Sequence, residues 1–347
     1  MSANPATPVE PTPPSLASPL ARLAVRVPEW AALFAVLAFL IVLFSLTSPY
    51  FFQPDNFKNI AQNVAVIGII ACPATILMIA GQFDLSVGSM VAFSGMFMAV
   101  SALLQGTGGA TVPFALNQTI PSAFVLTLIA AGVVGVINAV AVNVIGINAL
   151  ITTLGTLSVF RGLTKVLGDG QTIRVENFDA IGVTRDPVLG IPLPVYLLAI
   201  VIAITWFVLR YTVYGRSMYA IGASPAAARL AGIRAKRNLF IGFVASSLAA
   251  GLGGLILVSQ VGGASVNAGI GVELSVVTAV VLGGTSLSGG RGGVGGTILA
   301  VFIIGVLQNG LIQLNIASFW IEVANGALLL AAVSFDRLRV RLTGSTA

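Results

Sequence analysis

Ten apolar runs, each close to the length of a bilayer-spanning helix, constrain this chain more than any other feature of its sequence. A transmembrane helix needs roughly 20 mostly apolar residues. Apolar residues make up 57% of the chain and charged residues 8%, against about 45–50% and about 25% in soluble domains. We therefore expect an all-α polytopic membrane protein with about ten transmembrane helices. The runs are residues 30–46, 64–80, 88–104, 122–142, 147–167, 191–209, 239–259, 271–287, 294–313 and 318–334.

The second, third and eighth runs are rich in glycine, which makes them candidates for broken or re-entrant helices. The motif Asp84-Leu85-Ser86-Val87 follows the second run, and Glu273-Leu274-Ser275-Val276 opens the eighth, each after a glycine-bearing turn. Because five runs separate the two motifs, an odd number, a duplicated architecture would place its halves in inverted orientation. The alternative is a chance match of four common residues.

The distribution of charge predicts the orientation of the chain. Basic residues cluster in the amino-terminal segment, in the loop 211–237 and in the tail 337–347. The polar stretch 168–190 instead contains more acidic than basic residues. Ten crossings put all the basic clusters on the cytoplasmic side, as the positive-inside rule requires. Arg161 and Lys165, near the outer end of the fifth run, are the exceptions. The placement of the basic residues therefore indicates that the partner of this chain is a lipid membrane and not a nucleic acid.

The same pattern predicts the domain organisation. Residues 1–28 carry many prolines and little apolar bulk, so we expect a disordered cytoplasmic tail. Residues 29–336 form a single transmembrane domain, within which 211–237 is a cytoplasmic loop, and 337–347 form a basic cytoplasmic tail. Both termini are therefore expected in the cytoplasm.

Residues that commonly carry catalysis are missing from the sequence. The chain has no histidine, one cysteine at position 72, no Gly-x-Ser-x-Gly motif and no carboxylate cluster with metal-ligand spacing. None of its lysines follows a glycine as a Walker A motif requires. We predict no catalytic residue, no metal site, no bound cofactor and no ATP site of the chain's own.

The basic loop 211–237 contains the signals of a short helix. Ser224 suits the N-cap, Pro225 suits the first helical position, and Gly232 suits the stop after an alanine-rich stretch. A rigid helix is more than a connection between two spans needs, so we expect it to dock on a cytoplasmic partner. The alternative is a solvated connector.

Polar side chains inside the apolar runs are candidates for a substrate path or gate. For Asp84 the alternative is a helix N-cap, and for Glu273 it is a charge favoured by the helix dipole. Amides and hydroxyls suit a neutral, hydroxylated substrate better than an ion, although such groups also form hydrogen bonds between membrane helices. The candidates are Asp84, Ser86, Ser89, Asn138, Thr153, Thr156, Glu273, Ser275, Gln308 and Asn309.

Several motifs resemble one family in the same order along residues 30 to 335. Gly215-Arg216, Tyr219-Ala220 with Gly222, and Ala227-Ala228 with Gly232-Ile233 are similar to the coupling loop of the ribose/xylose-type permeases of bacterial ABC importers. The segments 84–89, 153–156 with Arg161-Gly162, and 283–292 resemble that family too. Ala226 departs from the general importer pattern, which has glutamate at this position.

The resemblance implies a type II-importer-like ABC permease in the bacterial inner membrane, working as a pair. Two ATPase subunits that use ATP and Mg, and a periplasmic sugar-binding protein, are its implied partners. The implied substrate is a monosaccharide: a pentose, a hexose or a similar polyol. A branched-chain amino acid permease and an ion-coupled secondary transporter, using Asp84, Glu273 or Glu322, are the alternatives. The implied ATPase-coupling residues are Gly215, Arg216, Ser224, Pro225, Ala226, Ala227, Ala228, Arg229 and Gly232.

Overall fold

The computed structural model describes residues 29–102, 116, 118–175, 189–317 and 319–343, with side chains of the last helix as far as residue 334. The predicted tail 1–28 and the acid-rich part of the polar stretch, 176–188, lie outside the described residues. Within the described residues, seven helices are long and apolar enough to cross a membrane, and three shorter apolar helices accompany them. The ten apolar runs are therefore all helical, as expected.

The chain order alternates long helices with short connections. The helices are α1 Glu29–Thr47, α2 Pro54–Ile79, α3 Val87–Ala102, α4 Ile120–Val140, α5 Ala149–Leu167, α6 Leu193–Tyr211, α7 Val213–Ala223, α8 Pro225–Leu230, α9 Ala235–Val261, α10 Val272–Leu282, α11 Val294–Gln313 and α12 Phe319–Thr343. A π-helical turn, Ala141–Ile145, continues α4, and the two short strands are β1 Ile173–Arg174 and β2 Gly263–Ala264.

Helices α2 and α9 form the centre of the bundle. Over the most apolar 18 residues of each helix, 89% of α2 and 61% of α9 is buried, against 11% of α1 and 22% each of α5 and α6. Helix α2 packs against α6, α9, α10 and α11, while α9 also packs against α3 and α4. The apolar outer faces of α1, α5 and α6 are what lipid or another protein chain would cover.

The second apolar run was one of the three candidates for a broken or re-entrant segment. It forms one continuous helix, α2, which starts ten residues earlier, at Pro54, and carries Pro73 inside it. Every residue from 68 to 80 is buried. Close packing on all sides holds the helix together across the proline, as membrane helices often show.

The third and eighth runs are shortened, as expected. Helices α3 and α10 have only 16 and 11 residues, and non-helical residues 81–86 and 265–271 lead into them. Gly81 (φ +72°), Gly269 (+67°) and Gly271 (+78°) adopt left-handed conformations in these entry segments, which glycine tolerates best. Each short helix therefore follows a non-helical entry segment, and we call α3 and α10 half-helices.

The two short helices begin side by side and run in opposite directions. A Cβ on Gly88, at the start of α3, would collide with Oε2 of Glu273 and the carbonyl oxygen of Gly269. From there α3 runs toward the β1–β2 pair, since its Met96 and Met98 pack with Ala264. Helix α10 runs instead toward the loop 283–293. The Asp84 and Glu273 motifs thus occupy equivalent, inverted positions, which favours the repeat over chance.

The bundle has two distinct ends. At one, which we name the basic end, α7, α8, the loop 283–293 and the last residues of α2 come together. At the other, the sheet end, β1 pairs antiparallel with β2 through Ile173 opposite Ala264 and Arg174 opposite Gly263.

Candidate functional site

Asp84 is the centre of a buried polar cluster at the start of α3. Its Oδ1 accepts hydrogen bonds from the amide (3.0 Å) and hydroxyl of Ser86, and its Oδ2 accepts one from Ser246 Oγ at 2.7 Å. Asn138 Nδ2 donates to Ser86 Oγ at 3.0 Å. The carboxylate therefore closes the turn that leads into α3, which agrees in part with the N-cap alternative. It also connects α3 to α9 directly and to α4 through Ser86.

A second polar cluster marks the start of α10. Glu273 Oε1 accepts a 3.3 Å hydrogen bond from the Gly271 amide, which caps the helix. Asn325 Nδ2 on α12 donates to Ser275 Oγ at 3.4 Å, and Gln308 Nε2 on α11 donates to Asn325 Oδ1 at 3.2 Å. In both clusters, an amide from another span reaches the serine that lies two residues after the acid.

None of the remaining path candidates forms a hydrogen bond from side chain to side chain with these clusters. Ser89 Oγ donates to the carbonyl of Ser86, and Thr153 and Thr156 donate to carbonyls of their own helix α5. Asn309 lies elsewhere, where its Nδ2 donates to Asn56 Oδ1 at 2.9 Å. The structure therefore brings together Asp84, Ser86 and Asn138 in one group, and Glu273, Ser275 and Gln308 in another.

Helix α8 protrudes at the basic end. Its N-cap Ser224 accepts a hydrogen bond from the Ala227 amide at 3.3 Å, and Gly232 follows it with φ +78°. Ala228 is buried, whereas Leu230 is 88% exposed. The predicted helix is thus present, and one side of it anchors the helix to the bundle. The exposed side carries Pro225, Ala226, Ala227, Arg229 and Leu230.

Helix α7, which the sequence patterns did not predict, fixes α8 to the membrane helices. It begins at the Thr212 N-cap, whose Oγ1 accepts from the Gly215 amide at 3.1 Å. Gly215 packs against the backbone of Val208 and Leu209, so a side chain there would collide with α6. Arg216 points outward and is exposed. The available signal in the sequence was the helical spacing of Tyr214, Met218 and Ile221, which places them on one face.

Four glycines form a close backbone contact that we name the glycine joint: Gly81, Gly222, Gly289 and Gly290. The Gly290 amide donates to the carbonyl of Ile79, the last residue of α2, at 2.8 Å. A Cβ on Gly222 would collide with that carbonyl and with the Gly290 amide, and one on Gly289 would lie 2.9 Å from the Gly81 nitrogen. The joint links α7 to α2 and to the entry segment of α3.

Tyr219 adds a side-chain contact beside the joint. Its hydroxyl donates to the carbonyl of Gly292 at 2.8 Å. Burial raises the pKa of Tyr219, so the hydroxyl keeps its proton and continues to donate near neutral pH. Helix α7 is thereby tied to the loop that precedes α11. Ser246, Asn325 and Tyr219 were not among the predicted site residues, and Ser246 stood out in sequence only as a hydroxyl within an apolar run.

Among the described residues, no group of three or more His, Cys, Asp or Glu side chains is arranged to hold a metal ion. Asp84 and Glu273 each lie with hydroxyl and amide groups instead. These groups can form hydrogen bonds between helices or with a polar solute.

Residues 56–333 match the family model described as the branched-chain amino acid transport system permease component. The ribose import permease of Haemophilus influenzae is 36% identical over 309 residues, covering 87% of this chain and 91% of the relative. The D-allose transport system permease of Escherichia coli K12 is 33% identical (88% and 90% covered), and the L-arabinose ABC transporter permease of Azospirillum brasilense is 33% identical (88% and 87%). No solved structure matches the chain.

Proposed function

Because the chain belongs to the family of branched-chain amino acid transport system permease components, we propose that it is the membrane-spanning subunit of an ATP-driven importer. The single observation that carries this proposal is the exposed helix α8, which is anchored to α7, a helix that itself packs against α2, α6 and α9. A secondary transporter has no use for a rigid basic docking helix. The family match and the docking helix together favour an ABC permease.

The proposed substrate is a monosaccharide: a pentose, a hexose or a similar polyol. Relatives that cover most of this chain are named as permeases for ribose, allose and arabinose, which favours a sugar over a branched-chain amino acid. The polar groups inside the bundle agree with this choice, since amides and hydroxyls exchange hydrogen bonds with sugar hydroxyls.

Partners supply what the chain does not. In this proposal two ATPase subunits, which use ATP and Mg, bind at the basic end, and a sugar-binding protein delivers the solute at the sheet end. A second copy of the permease completes the pathway, which would run along the axis between the two copies. The basic end then faces the cytoplasm of a bacterial inner membrane, with both termini on that side.

The mechanical route starts at α8. Closure of the ATPase subunits would push on Ala226, Ala227, Arg229 and Leu230, and α7 would carry that movement to the glycine joint. From the joint the movement would reach the entry segment of α3 and the loop before α11. The contacts within the glycine joint are backbone against backbone. Little of the movement is therefore absorbed by rearrangement of side chains.

The test is reconstitution of the chain in proteoliposomes with the ATPase and binding protein encoded beside its gene. We expect ATP hydrolysis to rise, and labelled sugar to accumulate, with at least one monosaccharide of a panel that includes ribose, allose and arabinose. Leucine serves as the amino acid control. Stimulation by leucine and by none of the sugars would overturn the substrate class.

Docking is tested by Leu230→Asp. Because Leu230 is 88% exposed, the substitution leaves folding intact while it places a charge where the ATPase would sit. We expect ATP hydrolysis stimulated by substrate to fall at least ~10-fold. Leu189→Asp is the matched control, since Leu189 is 92% exposed and precedes α6 at the opposite end. Equal, wild-type activity of both variants would remove α8 from the interface. Gly232→Asp is a poorer test because Gly232 has a left-handed backbone conformation.

A further inference from the structure

The outward surface of α5 divides into two strips of different chemistry. Ser158, Arg161 and Lys165 follow one another at spacings of three and four residues, so they share one face of the helix. Val159, Leu163 and Val166 are spaced by four and three and share another. Arg161 is half-buried and the other five residues are exposed. The apolar strip suits lipid, but the polar strip does not.

Arg161 lies in the outer part of the span. It is six residues before Leu167, the last residue of α5, which places it about 9 Å along the helix axis from that end. Charged side chains within a span are costly in lipid and usually face protein or water. The polar strip is therefore better placed against a protein surface or an aqueous space than against lipid.

Arg161 is fixed to the entry segment of α10. Its Nη1 donates a 2.5 Å hydrogen bond to the carbonyl of Ala268, in the segment that leads into α10. Among the described residues Ala268 is the only hydrogen-bond partner of the guanidinium, which carries five N–H groups. Several donors of Arg161 thus remain available on its exposed side.

Glu273 lies in the first turn of α10, just after that entry segment. Its Oε1 caps α10 through the Gly271 amide, while its buried Oε2 lies against Gly88 and has no hydrogen-bond partner among the described residues. Since Gly88 is near the start of α3, the carboxylate lies where both short helices begin. The hydrogen bond from Arg161 to Ala268 therefore connects α5 to the segment that leads to this meeting point.

We propose that Arg161 is a solute-contacting residue of the transport pathway, and that the Ser158–Arg161–Lys165 strip faces the aqueous space through which a hydroxylated solute passes. The carbonyl of Ala268 holds the guanidinium in place, and its other N–H groups donate to the solute's hydroxyl oxygens. This inference rests on the proposed transport function. It adds a residue and a surface that the acids and amides of the bundle did not indicate.

Thiol labelling tests the surface without knowledge of the substrate. Cys72 is fully buried, so Cys72→Ala gives a cysteine-free background, to which Ser158→Cys or Val159→Cys is added in the full chain in membrane vesicles. We expect a charged, membrane-impermeant thiosulfonate to modify Ser158→Cys at least ~10-fold faster than Val159→Cys. Equal rates, or modification of Val159→Cys alone, would overturn the proposal.

Transport assays test the role of Arg161 itself. We expect Arg161→Gln to slow uptake at least ~5-fold while ATP hydrolysis continues, because the pathway is altered and the docking helix is not. Arg161→Lys should recover most of the uptake. Wild-type uptake by Arg161→Gln would overturn the contact with solute. If the unmodified chain transports no sugar while Ser158→Cys is still labelled selectively, the proposed substrate fails and the aqueous surface stands.

Discussion

Asp84 serves two structures at once, because its two carboxylate oxygens are used separately. One oxygen closes the turn that leads into α3, and the other accepts from Ser246 on α9. Burial of a carboxylate is tolerated where hydrogen bonds meet both of its oxygens. The residue therefore holds the half-helix α3 in register with the rest of the bundle.

Replacing Asp84 should destabilise the protein. Asp84→Ala leaves the Ser86 amide and the Ser246 hydroxyl without their acceptor, and each buried unsatisfied group costs about 1–3 kcal/mol. We expect a lower melting temperature in detergent. Asp55→Ala is the control, because Asp55 is exposed and forms only a surface ion pair with Lys58. An unchanged melting temperature of Asp84→Ala would contradict the anchoring role.

Gly88 shows a different constraint at the same place. A methyl group there would collide with Glu273 and with the carbonyl of Gly269, so we expect Gly88→Ala to separate the two half-helices at a cost of about 1–3 kcal/mol. Gly295→Ala is the matched control, since Gly295 is also the second residue of its helix and has no neighbour within 4 Å. Thermal unfolding of the two variants measures the difference, and equal stability would argue against tight packing at Gly88.

Helix α7 is the element that connects α8 to the transmembrane helices. It carries two half-buried tyrosines whose hydroxyls have different targets: Tyr219 donates to the carbonyl of Gly292 at 2.8 Å, and Tyr214 donates to the carbonyl of Asn238 at 3.2 Å. The first contact reaches the loop before α11, whereas the second stays between α7 and its neighbour α9. Only the first lies beside the glycine joint.

Tyr219→Phe should therefore weaken coupling more than Tyr214→Phe. Each substitution removes one hydroxyl and keeps the ring, so packing is preserved in both. We expect Tyr219→Phe to lower the amount of solute moved per ATP hydrolysed, and Tyr214→Phe to leave that ratio near the wild-type value. The ratio is measured in the reconstituted system from uptake and phosphate release. A larger effect of Tyr214→Phe would place the route through α9 instead.

For the whole molecule, the two ends of the bundle must lie on opposite sides of the membrane. Lys236 is exposed at the basic end and Asn267 is exposed near the sheet end. In the Cys72→Ala background, we expect a membrane-impermeant reagent to label Asn267→Cys from outside intact cells, and Lys236→Cys only in inverted vesicles. Labelling of both from the same side would contradict the ten-span orientation.

The sequence by itself determined the class of the protein, the number of apolar helices and the short helix α8. These features depend on local properties: apolar length, the Ser-Pro start and the glycine stop of α8, and the position of basic residues. The shortened third and eighth spans were among the candidates for a break, because a glycine-bearing turn precedes each of them. The second span was a candidate too, but burial on all sides keeps α2 continuous across its glycine and proline residues.

Only the tertiary structure decided which polar residues work together. Asp84 and Ser246, or Arg161 and Ala268, are separated by more than 100 residues, and no local pattern relates them. Their contacts arise because the two half-helices begin side by side and bring their entry segments against α4, α5 and α9. The glycine joint has the same origin: each glycine is ordinary in its own segment, and the close approach of three backbones makes the absence of a side chain necessary.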